Sequence, residues 1–274
     1  NTGKPLPPRA LLLTFDDGYK DHFSNVTPAL VKNGIQGTFF VSARAMAEKI
    51  VLDVNKIHYV LACVKDKSTL LHEIDRMIRE EACPADMEAY MTRINDGGEN
   101  ERRYDEKEVV LIKDLLQKGL SVNLRGRIIG ALFEKYISRN QEEFANDLYL
   151  GRQDLSAMMD EEMFIGSHGY DHVWLNTLTC EDQNREYDRG IEFMKSMGCC
   201  KDGVVFSYPY GAFNDDTVAL LTEKRVEAAF TSRCGLATCN KENRFTIPRL
   251  DTNDLPKSCC ADPCAWTADV MDEQ

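Results

Sequence analysis

The sequence predicts an α/β fold with parallel strands, interrupted by a large α-helical insertion. Three observations predict it. Short apolar runs stop at turn residues near positions 15, 41 and 165. Helical segments separate strand-like runs at both ends of the chain. Between them, residues 55–160 carry helical periodicity and almost no strand pattern.

Each element has its own warrant. Residues 10–15 read as a buried strand, because an apolar run ends in Thr14-Phe15-Asp16-Asp17-Gly18. Residues 24–33 follow as a helix, with Ser24 as cap, Pro28 near the start and Gly34 as stop. Residues 38–41 form a second strand, and this βαβ beginning implies parallel pairing. In the middle, Leu70, Ile74, Met77 and Ile78 share one helix face, as do Val109, Ile112, Leu115 and Leu116. The pattern continues through residues 125–137, giving four to six helices with a polar turn at 95–100. Alternation resumes with a strand at 163–165, a helix at 180–197 and a strand at 204–206. A helix at 214–224, a strand at 226–230 and a last strand at 247–250 complete it. The expected organisation is therefore residues 1–50 as a first part, 51–160 as the insertion, 161–258 as the remainder and 259–274 as a tail.

Chemistry concentrates at two strand ends. Asp16 and Asp17 are adjacent carboxylates, costly to crowd together unless a cation or a shared proton relieves their repulsion. Far downstream, the strand at 163–165 runs into His168-Gly169-Tyr170-Asp171-His172, and only five histidines exist in the chain. On a helical turn, a four-residue spacing puts both rings on one face. One Asp with two His makes three protein ligands suited to zinc or its neighbours, with a position left open for water.

These residues resemble the signature motifs of the polysaccharide deacetylases, the NodB-like enzymes of carbohydrate esterase family four. Thr14-Phe15-Asp16-Asp17-Gly18 matches the first motif and His168-Gly169-Tyr170-Asp171-His172 the second. Ser207-Tyr208-Pro209-Tyr210-Gly211 falls where the family carries Arg-x-Pro-Tyr-Gly. The likeness covers residues 8–42 and 150–250. It implies an irregular (β/α) barrel of about seven strands, with the α-helical insertion inside it. It also implies a metal-dependent deacetylase that hydrolyses the N-acetyl group of an amino sugar in a polysaccharide or its precursor.

The resemblance assigns roles. Asp17, His168 and His172 would hold a divalent metal, zinc first, with cobalt or nickel as alternatives. Asp16 would be the base, and the backbone N–H of Tyr210 the oxyanion donor. Tyr208 is a further expected sugar contact, and the stretch Arg249, Asp251, Asn253 and Asp254, unusually polar for a strand end, is read from its own residues as a site for sugar hydroxyls. Two departures matter. Ser207 replaces the family's orienting Arg, for which Arg249 is a substitute, and no histidine follows His172 where the family has its general acid. His58, at the entry to the insertion, is the expected replacement acid, with His22 as the other candidate. Two further functions fit the same motifs: a carbohydrate-binding module without turnover, and a hydrolase of a non-sugar amide.

Composition restricts the partners. Net charge is −12, which disfavours nucleic acid and anionic membranes and leaves a neutral N-acetylated carbohydrate unaffected. Hydrophobic residues make up 43%, no run is long enough to span a bilayer, and the N-terminal residues carry no secretory-signal pattern. Ten cysteines match no zinc-ribbon or thioredoxin spacing. Buried thiols in a reducing cytoplasm are expected, with a metal at Cys259, Cys260, Cys264 and Asp262 as a lesser alternative. The sequence leaves the oligomeric state open.

Overall fold

The computed structural model describes residues 10–95, 106–200, 203–238, 242–258, 260 and 266. The chain divides into two compact units, Asn1–Ala47 with Leu148–Gln274, and Glu48–Asp147.

The first unit opens with β1 (Leu13–Phe15), α1 (Thr27–Lys32), β2 (Gly37–Val41) and α2 (Ala43–Glu48). The helical unit then supplies α3 (Asp53–Cys63), α4 (Lys67–Glu81), α5 (Pro84–Asn95), α6 (Lys107–Asp114), α7 (Val122–Tyr136) and α8 (Gln141–Leu148). The first unit resumes with α9 (Arg152–Asp160), β3 (Phe164–Ser167), α10 (Cys180–Ser196), β4 (Val205–Ser207), α11 (Asp215–Glu223), β5 (Ala228–Cys234) and β6 (Ile247–Arg249). The insertion thus ends at Asp147, short of residue 160, because α9 packs Leu155 and Met158 into the core of the strand-bearing unit.

Six strands form one sheet in chain order, and every described pair is parallel. Parallel neighbours require crossovers, and the helices between strands provide them. β2 is buried along its whole length, as expected of a strand covered on both faces. On one part of the sheet, Leu30, Leu155, Met158 and Met194 pack with Phe39, Val41 and Ile165. On another, Tyr187, Ile191 and Leu221 pack with Phe206, Tyr208 and Ala229. Among the described residues no backbone pairing joins β1 to β6. Instead Arg249 of β6 reaches Thr14 and Asp16 at β1, so the two edges meet through side chains.

The helical segment that leads into α1 begins earlier than the expected cap residue Ser24. A wide turn over His22–Val26 precedes α1, so Ser24 lies inside the helical segment. The helical unit has its own apolar core, in which Leu70, Ile74 and Ile78 of α4 meet Leu124, Ile128 and Ile129 of α7. Asp66 caps α4 and Ser121 caps α7, each accepting from backbone N–H groups of the first turn. The polar turn expected at 95–100 lies, beyond Asn95, outside the described residues, as do Cys259, Asp262, Cys264 and most of the tail.

No helix among the described residues is long and apolar enough to cross a membrane. The expectation of buried thiols does not hold generally. Cys199 is buried, whereas Cys63, Cys83 and Cys180 are exposed on their helices or helix ends.

Candidate active site

The chemistry gathers at the C-terminal ends of the strands, where ligand sites of parallel α/β folds form. β1 ends in a sharp turn with Asp17 at φ 75° and Gly18 at φ 73°. At Gly18 a side chain would be strained by the left-handed backbone and crowded by Val41 Cγ1, 3.1 Å from where a Cβ would sit. Asp17 takes the same conformation without glycine's freedom, a strain characteristic of functional positions.

This turn sends the two carboxylates to different partners. Asp17 Oδ1 lies 3.5 Å from His168 Nε2 and 3.3 Å from His172 Nε2. Tyr19 also gives Asp17 a side-chain hydrogen bond. Asp16 is gripped by Arg249, with Nη1 2.9 Å from Oδ1 and Nη2 2.7 Å from Oδ2. The Ser207 hydroxyl donates to Oδ2 at 3.3 Å. Arg249 is itself fixed by donating from Nε to the Thr231 carbonyl at 3.0 Å.

Both carboxylates are held ionised. Burial pushes the Asp17 carboxyl up, but the His172 and His168 imidazoles beside it more than offset this, leaving it well below the usual carboxylate range. Burial likewise opposes ionisation of Asp16, and His168 together with Arg249 overcomes it. His168 responds in the opposite sense, its pKa lowered mainly by burial.

The histidine pair is not on a helical turn. His168 follows β3, and the chain then passes through Gly169 at φ 75° to His172 at φ 54°. A loop with two left-handed residues brings the rings together, with centroids 4.8 Å apart. The His168 Nδ1–H donates to the Ser207 carbonyl at 2.7 Å. That bond fixes the tautomer and leaves the Nε2 lone pair facing Asp17.

The donor set fits a metal ion. An ionised oxygen and a bare imidazole nitrogen converge with their electron pairs inward, which is unfavourable unless a cation sits between them. The three donor atoms of Asp17, His168 and His172 lie within 4.8 Å of one another. The two Asp–His separations, 3.3 and 3.5 Å, let one ion be shared between the carboxylate and both imidazoles.

An aromatic wall stands beside the pair. The Tyr210 ring meets His172 edge-on at 4.7 Å and stacks on Trp174 at 4.6 Å. Tyr210 itself is at φ 58° in the Pro209–Gly211 turn after β4.

Other residues singled out in the sequence lie elsewhere or are otherwise engaged. Tyr208 is 1% exposed, packs on Phe206 and Phe213, and donates its hydroxyl to the Phe245 carbonyl, so it is a core residue and not a sugar contact. The Arg249 guanidinium is spent on Asp16, which makes it the orienting group in place of the motif's missing Arg. Asp251 caps the short turn Thr252–Asp254 through the Asn253 N–H. His22 is buried among Phe15, Tyr19 and Phe39, its Nδ1 lacking a hydrogen-bond partner. His58 is exposed on α3 of the helical unit. Trp174 and Ser207 were not singled out as functional by sequence pattern. Trp174, two residues after His172, was accessible from that spacing alone.

Residues 3–94 and 128–229 match the sequence model described as "Polysaccharide deacetylase", well over half of the chain. No curated protein sequence matches significantly. Among solved structures, the Streptococcus pyogenes deacetylase PplD in complex with acetate is similar in fold, with a TM-score of 0.51 and 13% identity over 91% of this chain and 67% of its own. A de-N-acetylase from Aggregatibacter actinomycetemcomitans gives a TM-score of 0.48 and 13% identity, covering 90% of this chain and 71% of that one. IcaB from Ammonifex degensii gives 0.45 and 16%, covering 89% and 68%. At 13% identity the likeness to PplD speaks for the (β/α) barrel fold alone. The match of the sequence model over most of the chain places it in the polysaccharide deacetylase family.

Proposed function

We propose that this chain is a metal-dependent N-deacetylase acting on an N-acetylated amino sugar within a polysaccharide or its precursor. The observation that carries the proposal is the division of labour between adjacent acids: Asp17 faces two imidazoles, and Asp16 is gripped at both oxygens by Arg249. Asp17, His168 and His172 would hold a divalent cation, zinc first, which supplies Lewis-acid polarisation of the acetyl carbonyl and acidifies water.

The rest of the chemistry falls to the chain's own groups. Asp16, ionised and fixed at both oxygens, accepts the proton of the attacking water. Its lack of rotational freedom keeps the accepting oxygen in place through the reaction. The backbone N–H of Tyr210 donates to the oxygen that becomes negative as the amide carbonyl is attacked, a contribution of ~3 kcal/mol where such donors have been removed. Trp174 and Tyr210 offer an aromatic wall against which the apolar face of a sugar ring can lie. A net charge of −12 leaves such a neutral substrate free to approach.

Acetate release from N-acetylhexosamine oligomers tests the proposal. The zinc-loaded protein should release acetate, lose this activity to a chelator and regain it with zinc or cobalt. A protein that binds one equivalent of metal and releases no acetate from a broad panel of N-acetylated glycans would contradict it.

A further inference from the structure

We propose that Glu186 is a positioning residue for the metal centre, its buried carboxylate clamping the loop that carries His168 and His172. The inference rests on the metal-centre proposal above and concerns what holds that centre in shape.

The loop needs such a clamp because it has no regular secondary structure to satisfy its backbone. Glu186 lies on α10 and is 5% exposed. Its Oε1 accepts the N–H groups of Tyr170 and Asp171, each at 2.7 Å. Short bonds from two consecutive amides to one side-chain oxygen define a direction as well as a distance. One turn later on the same helix face, Gly190 lets α10 come close. A Cβ there would sit 3.3 Å from the Gly169 carbonyl carbon. From the other side, α2 donates the Ala43 N–H to the Gly169 carbonyl at 3.1 Å and the Arg44 N–H to the Tyr170 carbonyl at 3.0 Å.

Side chains reinforce the same loop. Arg44 Nη1 pairs with Asp171 Oδ1 at 2.8 Å, and the Arg189 guanidinium lies over the Tyr170 ring at 3.7 Å. The loop is therefore gripped at Gly169, Tyr170 and Asp171, between the two imidazoles. His172 follows directly in its left-handed conformation, and its Nδ1 has no hydrogen-bond partner among the described residues. Whereas His168 is oriented by the Ser207 carbonyl, the backbone on either side of the Glu186 contact is what aims His172. Without the carboxylate, two buried N–H groups lose their acceptor and the loop relaxes towards water, taking the imidazole spacing with it.

The test is zinc affinity, read by competition with a chromophoric chelator well below the unfolding temperature, beside the unfolding midpoint of metal-free protein. Glu186→Gln keeps an acceptor oxygen in place and should bind zinc within about twofold of wild type. Glu186→Asp withdraws the oxygen by one methylene and should weaken binding about tenfold, and Glu186→Leu about 10- to 100-fold. The Asp variant is the milder one and is read whether or not the Leu variant folds. A folded Glu186→Asp protein with wild-type zinc affinity would overturn the inference alone. Absence of zinc binding by the wild-type chain would overturn it together with the proposed metal centre.

Discussion

The two units treat their buried polar groups in opposite ways. In the helical unit, Asp86 accepts from the Ser121 N–H and hydroxyl at the start of α7, and Asp114, whose buried oxygens make no hydrogen bond among the described residues, lies within ion-pair distance of Arg93 and Lys118. These acids tie helices together, around a core of Leu, Ile and Val. At the strand ends of the other unit, Asp17, His168 and His172 point their donors at one another, and Asp17, His172 and Tyr210 all adopt left-handed backbone. In the helical unit only Lys49, among described non-glycine residues, does so. Glu162, Cys200 and Arg225 of the strand-bearing unit do so as well, after α9, α10 and α11. Among the described residues, however, such backbone coincides with inward-facing electron pairs at the strand-end mouth, which marks where the sequence has given up stability for chemistry.

That contrast can be broken by mutation, most strongly at Asp16. Asp16→Asn should lower the acetate-release rate by about 10²–10⁴ while leaving zinc affinity and the unfolding midpoint near wild type. Unchanged turnover would remove Asp16 from the role of base. In the helical unit the pattern should invert. Ile74→Ala opens a cavity in a fully buried position and should cost about 2–5 kcal/mol of that unit's stability, with zinc affinity unchanged. A large loss of zinc binding in that variant would mean that the units are not specialised in this way.

Glu186 sharpens the comparison through pH. Burial, the first cause, raises its pKa from 4.5 to about 7, against the two backbone amides and Arg189, with Asp171 adding to the rise. Between those values the folded protein keeps a proton that the unfolded chain has lost. Stability from this group is therefore greatest below about pH 4.5 and falls as pH rises to about 7, by on the order of 3 kcal/mol. Buried His168 and His22, with lowered pKa values, slope the other way near neutrality, so the group is isolated by difference. Metal-free Glu186→Gln should lack the decline that wild type shows over this window, and parallel curves would contradict the assignment.

Smaller effects follow at the orienting and packing residues. Arg249→Lys removes the two-pronged grip and should cost roughly tenfold in turnover, since Lys cannot reproduce the bidentate fork. It should also move the acidic limb of the rate profile upward, because Arg249 helps hold the Asp16 carboxyl low. Tyr208→Phe is the mildest. It deprives the Phe245 carbonyl of a donor and should cost about 1 kcal/mol of stability with substrate affinity unchanged. Weaker substrate binding would return Tyr208 to the sugar site.

Much of this was legible from residue order. The parallel sheet announces itself because each strand is a short apolar run closed by a turn residue, and the metal trio because its donor types are rare and fall at strand ends. Arg249 was legible as the substitute for the lost motif arginine. The path of the histidine loop was not. A four-residue spacing reports how far apart two rings can be, and a helical turn and a left-handed loop both satisfy it. The fates of Tyr208 and Tyr210 were equally hidden. Alternation along a strand would put both on one face, but the Pro209–Gly211 turn, with Tyr210 at φ 58°, sends one into the core and the other to the site. Glu186 had a signal that passed unread: a charged residue on the buried stripe of α10, alongside Gln183, Tyr187, Gly190 and Met194. The exposed thiols had none, since sequence spacing says nothing about which helix face meets solvent.

The metal centre is the claim on which the chemistry depends. Zinc titration of metal-free wild type, His168→Ala and His172→Ala, followed by chelator competition, tests it directly. Near-stoichiometric binding by wild type and its loss in both variants is the predicted result. Equal binding by all three proteins, or none by wild type, would contradict it.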